Sequence, residues 1–236
     1  MSEDVRLNKY MADCGLCSRR EADRLIEAGK VKVNGITAEM GQRVTDNDTV
    51  EVDGKVLKRN DDTILLIFNK PPGITCTTSK EDETNVVDYI DYPKRIYPIG
   101  RLDKYSEGLL LMTNRGDLVN GIMRSRYDHE KEYIVTVDRP VDDIFLQKMS
   151  SGVYLKELDV TTKPCKCQKV ARNKFRMVIT QGLNRQIRRM CEEMGCRVMK
   201  LKRVRILDIE LGDLPTGEYR NATRKELESV MALIDQ

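Results

Sequence analysis

The side chains best suited to chemistry are an aspartate near the middle of the chain and arginines further along it. Asp103 lies just ahead of the apolar run at residues 109–112, and Arg101 lies two residues before it. A carboxylate at the edge of a core can act as a nucleophile or as a base. A nearby guanidinium would keep it ionised, and Arg185, Arg188 or Arg189 could supply one. An ion pair that only fixes two loops is the alternative, and the pattern alone leaves both open.

The segment around residue 188 combines an apolar stripe with arginines. Four apolar residues there have helical spacing: Ile187, Met190, Cys191 and Met194. Core packing explains this stripe most simply. Arg185, Arg188 and Arg189 lie near the start of the same predicted helix, where the helix dipole is already positive and each cation is unfavourable by a few tenths of a kcal/mol. We therefore predict an anionic partner for them, either a phosphate or a carboxylate.

Positive charge is concentrated in one part of the chain. The net charge is only +3, but residues 172–205 contain eleven Lys or Arg and two acids. Such a concentration indicates a site for a polyanion. A solvated basic face is the alternative.

The sequence lacks the motifs that are typical of several functional classes. The sequence contains neither a phosphate-binding G-x-x-x-x-G-K-[ST] loop nor an H-E-x-x-H metal motif. His129 is the single histidine, and its polar surroundings predict a surface or hydrogen-bonding role. Seven cysteines are expected to be free thiols. Cys14 with Cys17 and Cys165 with Cys167 could supply four zinc ligands, but they lack zinc-finger spacing, so no metal site is predicted.

No segment has the character of a membrane anchor. No run approaches the roughly 18 apolar residues that a membrane-spanning helix needs. The acidic first residues are not followed by the apolar region of a signal peptide. We therefore expect a cytoplasmic protein.

The first sixty residues have the pattern of a small α+β module. Ser18 and Glu21 are spaced as a capping box for a helix that Gly29 would end. Asn-Gly at residues 34–35 and Asp-Gly at residues 53–54 predict two-residue hairpin turns.

Basic residues gather around the two predicted helices of this module. Arg19 and Arg20 lie on the first turn of the capped helix, and Arg6 and Lys9 lie one turn apart on the helix before it. Lys30 follows the capped helix. A helix N-terminus adds free amides and positive potential, which suit a phosphate. Ordinary solvation of helix surfaces is the alternative.

The rest of the chain is dominated by predicted strands. Residues 58–63 have no periodicity and read as a linker, so we predict domains at residues 1–63 and 64–236. Strands are predicted at residues 64–68, 95–99, 109–112, 132–137, 174–179 and 198–207. Helices are predicted at residues 117–124 and 141–150, and from a second capping box at Thr223 onward. Long βαβ alternation is missing, so the predicted fold class is α+β with a mainly antiparallel sheet.

Residues 6–35 resemble the small RNA-binding domain named after ribosomal protein S4. The similarity covers the two helices, the capped arginine pair and the Val-Asn-Gly hairpin. It implies that this domain grips structured RNA through backbone charge and shape. Six of its residues are expected to contact RNA: Arg6, Lys9, Ser18, Arg19, Arg20 and Lys30.

The motif around Asp103, GRLDKYSEGLLLMTN, together with GLNRQIRRM around Arg188, resembles the pseudouridine synthases. The stretches NKPPG and KEYIVTV fit the same pattern. With an S4-type domain in front, the combination resembles one family of pseudouridine synthases, the ribosomal small-subunit-type family. Within that family it most resembles the branch whose members act on large-subunit ribosomal RNA. The resemblance implies isomerisation of uridine to pseudouridine by a catalytic domain at residues 64–236.

The resemblance also implies a role for each matched residue. Asp103 would be the catalytic carboxylate, and Arg188 would pair with it. Tyr133 would stack on the flipped base and help move a proton, and Arg101 would enter the RNA stack where the target uridine leaves. Two further RNA contacts are expected: Arg185 and Arg189.

The expected partner is a structured stem-loop of ribosomal RNA, in an assembling large subunit, bound by a monomer. Isomerisation consumes nothing, so the implied reaction needs no cofactor and no metal. The target uridine and the order of the catalytic steps stay open. Two alternatives remain: a non-enzymatic RNA-binding or ribosome-assembly protein, and a zinc-dependent base-modifying enzyme such as a deaminase.

Overall fold

The chain forms two compact units. The computed structural model describes residues 4–59, 62–123 and 129–233. The first unit contains Met1–Thr63, Pro93–Arg95 and Asn114–Gly116, and the second contains Ile64–Tyr92, Ile96–Thr113 and Asp117–Gln236.

The first unit packs two short helices on antiparallel strands. Its helices are α1 (Leu7–Asp13) and α2 (Arg19–Glu27). Its strands are β1 (Val5–Arg6), β2 (Val31–Val33), β3 (Ile36–Thr37), β4 (Arg43–Val44), β5 (Val50–Val52) and β6 (Lys55–Val56). β1 pairs with β4, and the other four strands form a sheet in the order β3-β2-β5-β6. Buried side chains of both helices, including Met11 and Ile26, pack with the valines of β2 and β5 in one core.

Both predicted hairpin turns of this unit are present. Asn34 and Gly35 have φ angles of 53° and 79°, and Asp53 and Gly54 have 48° and 76°. This left-handed backbone matches the twist of a two-residue hairpin, and Asn, Asp and Gly adopt it most readily. The turns connect β2 to β3 and β5 to β6.

The start of α2 differs from the prediction in one respect. The Ser18 hydroxyl accepts a hydrogen bond from the Glu21 amide at 3.2 Å, as a cap should. The Glu21 carboxylate, however, accepts from Arg24 at 3.1 Å, one turn further along. Within the described structure, the helix therefore has a capping hydroxyl but not the complete box. Gly29 follows the helix with a φ of 69°, as expected of the residue that ends it.

The second unit contains one large sheet and five helices among the described residues. Its helices are α3 (Val86–Ile90), α4 (Gly116–Met123), α5 (Asp143–Ser150), α6 (Gln186–Glu193) and α7 (Arg224–Met231). Its first strands are β7 (Leu65–Lys70), β8 (Tyr97–Ile99), β9 (Glu107–Thr113), β10 (Lys131–Val137), β11 (Tyr154–Leu155) and β12 (Val160–Thr161). The later strands are β13 (Lys166–Ala171), β14 (Lys174–Ile179), β15 (Val198–Ile206), β16 (Ile209–Glu210) and β17 (Tyr219–Asn221).

The large sheet is mixed but mainly antiparallel, which confirms the predicted α+β class. Its strand order is β13-β14-β10-β15-β9-β7-β17, with β16 on β15 and β8 on β9. The parallel pairing joins β15 to β9, with Lys202 opposite Glu107 and Arg203 opposite Gly108. Gly108 has a φ of 99°, and a Cβ atom there would overlap the carbonyl oxygen of Arg203. Glycine is therefore required where the two halves of the sheet meet.

Apolar cores cover both faces of β7 and β9. Leu66 and Phe68 contribute to one core, whereas Leu65 and Ile67 contribute to the other. The same alternation holds along residues 109–112 of β9. Two-sided burial explains why residues 65–68 of β7 and 109–112 of β9 are continuously apolar rather than apolar at alternate positions.

Several smaller predictions can be compared with the structure. The capping box at Thr223 is complete. His129 is buried and its Nε2 lies 3.1 Å from the Gly121 carbonyl oxygen, so the hydrogen-bonding role is right and the surface position is wrong. The seven cysteines are free thiols, as predicted. Within the described ranges, no helix has the length and apolar character that crossing a membrane requires.

Candidate active site

Asp103 lies in the loop between β8 and β9, on a backbone that is fixed on both sides. The Ser106 amide donates to the Asp103 carbonyl oxygen at 2.9 Å and closes a turn. The Leu102 amide donates to the Cys76 sulfur at 3.3 Å, and Leu102 and Ser106 are both buried. The Asp103 side chain itself is 32% exposed. The hydrogen-bonded backbone of the loop thus holds the Asp103 carboxylate in place at the edge of an open space.

Lys70, the last residue of β7, stabilises the same turn. Its side chain is fully buried, and its ammonium group donates to the carbonyl oxygens of Pro71 (2.9 Å), Lys104 (3.1 Å) and Ser106 (2.8 Å). Burial lowers the pKa of Lys70 to about 8. Because two of its three acceptors belong to residues just after Asp103, this cation connects the end of β7 to the carboxylate loop.

The structure places Arg188 and Arg185 against Asp103. The Arg188 Nε atom lies 3.4 Å from Asp103 Oδ2, and Arg185 Nη1 lies 3.8 Å from the same oxygen. Arg188 also donates to the Ser106 hydroxyl at 3.2 Å and to the Val198 carbonyl at 3.4 Å. Its side chain is only 12% exposed, so its position is fixed by burial as well as by these bonds.

Helix α6 holds these arginines in place through its apolar stripe. Ile187, Met190 and Cys191 are buried in the core, and Met194 packs against it, as predicted. Arg185 precedes the helix with a φ of 50°, a left-handed conformation that is uncommon for a side chain of this size. The turn before α6 therefore directs Arg185 and Arg188 toward one carboxylate.

A cleft of about 550 Å³ opens beside Asp103. Tyr133, on β10, lines the cleft and is 7% exposed. Apolar side chains also line it: Ile99, Leu102, Leu183, Ile187, Leu201 and Ile206. The cleft thus brings together an acid, an aromatic ring and an apolar wall that restricts water.

Positive charge predominates in this cleft. Asp103 is the single acidic residue among the described residues that line it. The basic lining residues are Arg101, Lys104, Lys131, Arg185 and Arg203. Arg101 and Lys104 are exposed to solvent, whereas Arg203 is buried. This distribution suits a substrate that carries negative charge.

Comparison with known proteins identifies the family. The sequence model described as RNA pseudouridylate synthase matches residues 64–193, and that of the S4 domain matches residues 5–50. The chain is 50% identical over 233 residues to the dual-specificity RNA pseudouridine synthase RluF of Salmonella typhi, covering 98% of this chain and 80% of that protein. The chain belongs to the RNA pseudouridylate synthase family. It is therefore an isomerase that acts on RNA, and it combines an S4 domain with a pseudouridine synthase domain.

Two more comparisons agree with this assignment to the synthase family. The ribosomal large subunit pseudouridine synthase B of Bacillus subtilis is 38% identical, covering 98% of this chain and 97% of that one. A crystal structure of a pseudouridylate synthase superposes with a TM-score of 0.70 at 29% identity, covering 96% of this chain and 99% of that one. The resemblance inferred from the motifs is thus confirmed, and neither a non-enzymatic RNA-binding protein nor a deaminase fits the matched family.

In this synthase, Arg189 pairs with Glu157 rather than with Asp103, unlike Arg185 and Arg188. Its Nε donates to the Asn184 carbonyl at 3.0 Å, and its Nη1 forms an ion pair with Glu157. It is not among the described residues that line the cleft. The predicted RNA contact of Arg189 therefore has no support from the geometry of the site.

The predicted RNA-contacting residues of the S4 domain lie on and beside its two helices. Arg6 precedes α1 and Lys9 lies within it, whereas Arg19 and Arg20 form the first turn of α2. Lys30 lies just before β2, and the Ser18 hydroxyl is used as the helix cap. Among the described residues, no carboxylate forms an ion pair with any of the five cations. Their charge is thus available to a polyanion.

The sequence did not predict that three basic residues contribute to the synthase site: Lys70, Lys131 and Arg203. Lys70 follows a continuous apolar run and Lys131 begins a strand, but nothing in the sequence says that either side chain points inward. Arg203 lies in a strand of alternating cations, where a solvated position is the ordinary expectation. Buried Leu201, two positions before it on the same strand, was the available signal.

Proposed function

We propose that this enzyme isomerises a specific uridine of large-subunit ribosomal RNA to pseudouridine, with Asp103 as the catalytic carboxylate. The observation that carries the proposal is the position of Asp103. It lies 3.4 Å from a buried arginine, at the entrance of a cleft that also contains Tyr133. The names of the relatives, an RluF enzyme and a large-subunit synthase B, support ribosomal RNA as the substrate.

The reaction requires the target nucleotide to leave the RNA stack. The bond between ribose C1′ and uracil N1 is not accessible in a stacked helix, so extrusion costs a few kcal/mol. Arg101 is exposed at the edge of the cleft, where it can occupy the space that the uridine leaves. Tyr133 lies further inside, where its ring can stack on the flipped base and its hydroxyl can assist a proton transfer.

Asp103 then acts at the sugar, either as a nucleophile on C1′ or as a base. Arg188 orients the carboxylate, and its own position is fixed by the Ser106 hydroxyl and the Val198 carbonyl. The apolar wall keeps water away from the detached base, so that the base reattaches through C5 rather than diffusing away. The reaction consumes no second substrate, so it needs neither a cofactor nor a metal.

The two domains have separate tasks in this proposal. Residues 1–63 bind structured RNA through the phosphate backbone, using Arg6, Lys9, Arg19, Arg20 and Lys30. Residues 64–236 carry out the chemistry. The enzyme works as a monomer in the cytoplasm, on a stem-loop of the assembling large subunit.

An Asp103→Asn variant tests the catalytic assignment. It keeps the size of the side chain but cannot act as a nucleophile or a base, so pseudouridine formation should be lost while folding and RNA affinity stay close to wild type. Ribosomal RNA from cells that carry either protein, or neither, would be labelled with carbodiimide and mapped by reverse-transcription stops. Asp208→Asn, which changes an exposed carboxylate outside the cleft, is the matched control. Equal modification by wild type and Asp103→Asn would remove Asp103 from the mechanism.

Removal of residues 1–63 tests whether RNA binding and catalysis belong to different domains. The shortened chain should remain folded, because the second unit has its own cores, but it should bind ribosomal RNA more weakly and with a smaller salt dependence. Circular dichroism and binding titrations at several salt concentrations would measure both properties. An insoluble or molten product would contradict the proposed boundary.

A further inference from the structure

Two basic side chains flank Tyr133 on the cleft side of the sheet. Lys131 lies two residues before Tyr133 on β10, so both side chains point to the same face. Arg203 lies directly opposite Tyr133 on β15. All three residues line the cleft. The tyrosine ring therefore has a cation along its own strand and another across from it.

The guanidinium of Arg203 is buried with one nitrogen unsatisfied. The residue is 3% exposed, and its Nε donates to the Leu109 carbonyl oxygen at 2.7 Å. Its Nη2 atom is buried, and no hydrogen-bond acceptor meets it in the part of the chain that the structure describes. A buried donor without an acceptor is unfavourable, so an atom of the substrate is the natural partner for this nitrogen.

Lys131 adds a second charge that also lacks a counter-ion. Its ammonium group donates to the His129 carbonyl oxygen at 3.2 Å. Burial, and then the charge of Arg203, lower the pKa of Lys131, which shows that the two cations repel each other. Across residues 4–59, 62–123 and 129–233, no carboxylate lies within ion-pair distance of Lys131 or Arg203. A neutral carbonyl group would satisfy the open nitrogen, but only an anion would also offset the repulsion.

We infer that Arg203 and Lys131 form the site that stabilises negative charge on the uracil while it is detached from the ribose. This inference rests on the proposed function. When the C1′–N1 bond breaks, its electron pair leaves with the base and spreads over N1, O2 and O4. After the ring turns, C5 bonds to C1′, the proton on C5 is lost, and N1 gains a proton. Nothing else is consumed.

The depth of the two cations explains why the base, rather than a phosphate, is their partner. The phosphates belong to the RNA backbone and stay outside, near the exposed cations Arg101 and Lys104. The flipped base enters toward Tyr133, where Arg203 is buried. Asp103 would then act at the sugar, and Arg203 with Lys131 would act at the base. Fixed donors aimed at developing charge in a dry site commonly accelerate a reaction strongly.

The test compares two leaving groups in the same RNA. A large-subunit ribosomal RNA transcript would carry either uridine or 5-fluorouridine, whose electron-withdrawing fluorine stabilises the detached base without help from the protein. Because C5 of 5-fluorouracil carries no proton to lose, the single-turnover readout for both substrates is the disappearance of the N1-linked nucleoside, which reports breaking of the C1′–N1 bond, measured by nuclease digestion and mass spectrometry. Arg203→Gln should slow the conversion of uridine by about 100-fold or more and that of 5-fluorouridine by less than about 10-fold. The Kd for the RNA should stay within about threefold of wild type, because the phosphate contacts are unchanged.

Three further variants complete the design. Arg203→Lys keeps a cation and should recover part of the loss on uridine. Lys131→Gln should likewise slow the reaction of uridine more than that of 5-fluorouridine. This variant provides the test if Arg203→Gln fails to fold. Lys169→Gln removes one exposed cation from β13, outside the cleft, and should behave as wild type.

Each outcome decides between distinct explanations. Equal losses on both substrates would overturn the inference, since they would show that Arg203 does not act on the leaving group. A Kd raised more than about tenfold with an unchanged rate at saturation would instead identify a phosphate site. If wild type leaves the ribosomal RNA unmodified, or Asp103→Asn remains active, the proposed function fails and this inference fails with it. If wild type is active, Asp103→Asn is inactive and Arg203→Gln matches wild type, only the present inference is wrong.

Discussion

The buried cation Lys70 affects both the order of the Asp103 loop and the stability of the folded protein. Among the residues that the structure describes, no carboxylate lies within ion-pair distance of Lys70, which is instead held by three carbonyl oxygens around the Asp103 loop. The arrangement orders the loop, but it also places a charge where solvation is poor. The folded protein therefore prefers the neutral amine more than the unfolded chain does, which gives Lys70 a measurable effect on stability.

Comparison of wild type with Lys70→Met should show this effect. Burial lowers the pKa of Lys70 to about 8 from an ordinary 10.5, so between these values the unfolded state binds more protons than the folded state. The stability of wild type relative to Lys70→Met should accordingly rise with pH, by about 2 kcal/mol between pH 7.5 and 9.5. Urea unfolding of both proteins at several pH values would measure it. A difference that is independent of pH would show that the lysine is well solvated.

The C-terminal helix illustrates how an element is fixed to the sheet. Arg220, on β17, donates through both terminal nitrogens to Glu226 at 2.8 and 2.7 Å. Glu226 also accepts from the Thr223 amide at 2.7 Å, as the third residue of the capping box. The hydrogen bond from Arg220 lowers the pKa of Glu226 to about 2. One carboxylate thus serves both the start of α7 and its attachment to β17.

Glu226→Gln should destabilise the second unit in a pH-dependent way. Because the folded-state pKa is depressed, the contribution of Glu226 is complete above about pH 4.5 and is lost as the pH falls toward 2. At neutral pH the expected loss is about 1–2 kcal/mol, after allowance for the partial exposure of Arg220. Glu228→Gln is the matched control, since it breaks an exposed pair with Arg224 and should cost below about 0.5 kcal/mol. Thermal unfolding at pH 7 and pH 3 would separate the two variants, and equal losses at both pH values would argue against the ion pair.

The sequence predicted elements well where one hydrophobic pattern dominated. The pattern of residues 174–179 predicted β14 with its observed bounds, and the apolar stripe from Ile187 to Met194 predicted α6. β13 was missed because it is an edge strand whose side chains are largely exposed, so it has no apolar alternation. α3 was missed because five residues are too few to show a helical period.

Pairings across the chain were harder to predict than the elements themselves. Asp103 and Arg188 are 85 positions apart. Opposite charge left three arginines as candidate partners for Asp103, and only the resemblance to the synthase family singled out Arg188. The burial of Arg203 could not be predicted, because it depends on β15 lying between β10 and β9. Residue types alone do not specify that order.

At the scale of the whole molecule, RNA affinity and chemistry depend on different residues. The S4-domain cations that pair with no described carboxylate belong to the first unit, and the described residues that line the cleft belong to the second. Backbone charge contacts set affinity and its salt dependence. Under the proposed function, the acid and the tyrosine of the cleft determine the rate after the RNA has bound.

Arg19→Gln combined with Arg20→Gln should therefore separate the two properties in the full-length chain. The Kd for ribosomal RNA should rise about tenfold or more, and the slope of its logarithm against the logarithm of salt concentration should fall by about 1.5, because two phosphate contacts are lost. The single-turnover rate at saturating enzyme should change less than about threefold. Filter binding and rate measurements over a range of salt would test this, with Arg24→Gln as a control for an arginine already paired to Glu21. An unchanged salt slope would exclude this surface from the RNA interface.

The close approach of Gly108 to the β15 backbone also limits how the sequence can vary. Every other amino acid would place a carbon atom against the Arg203 carbonyl oxygen, whatever the rest of its side chain. Exposed Tyr105, only three positions earlier, meets no such restriction. In a library that randomises each codon, selection for function should leave a single residue at position 108 and many at position 105.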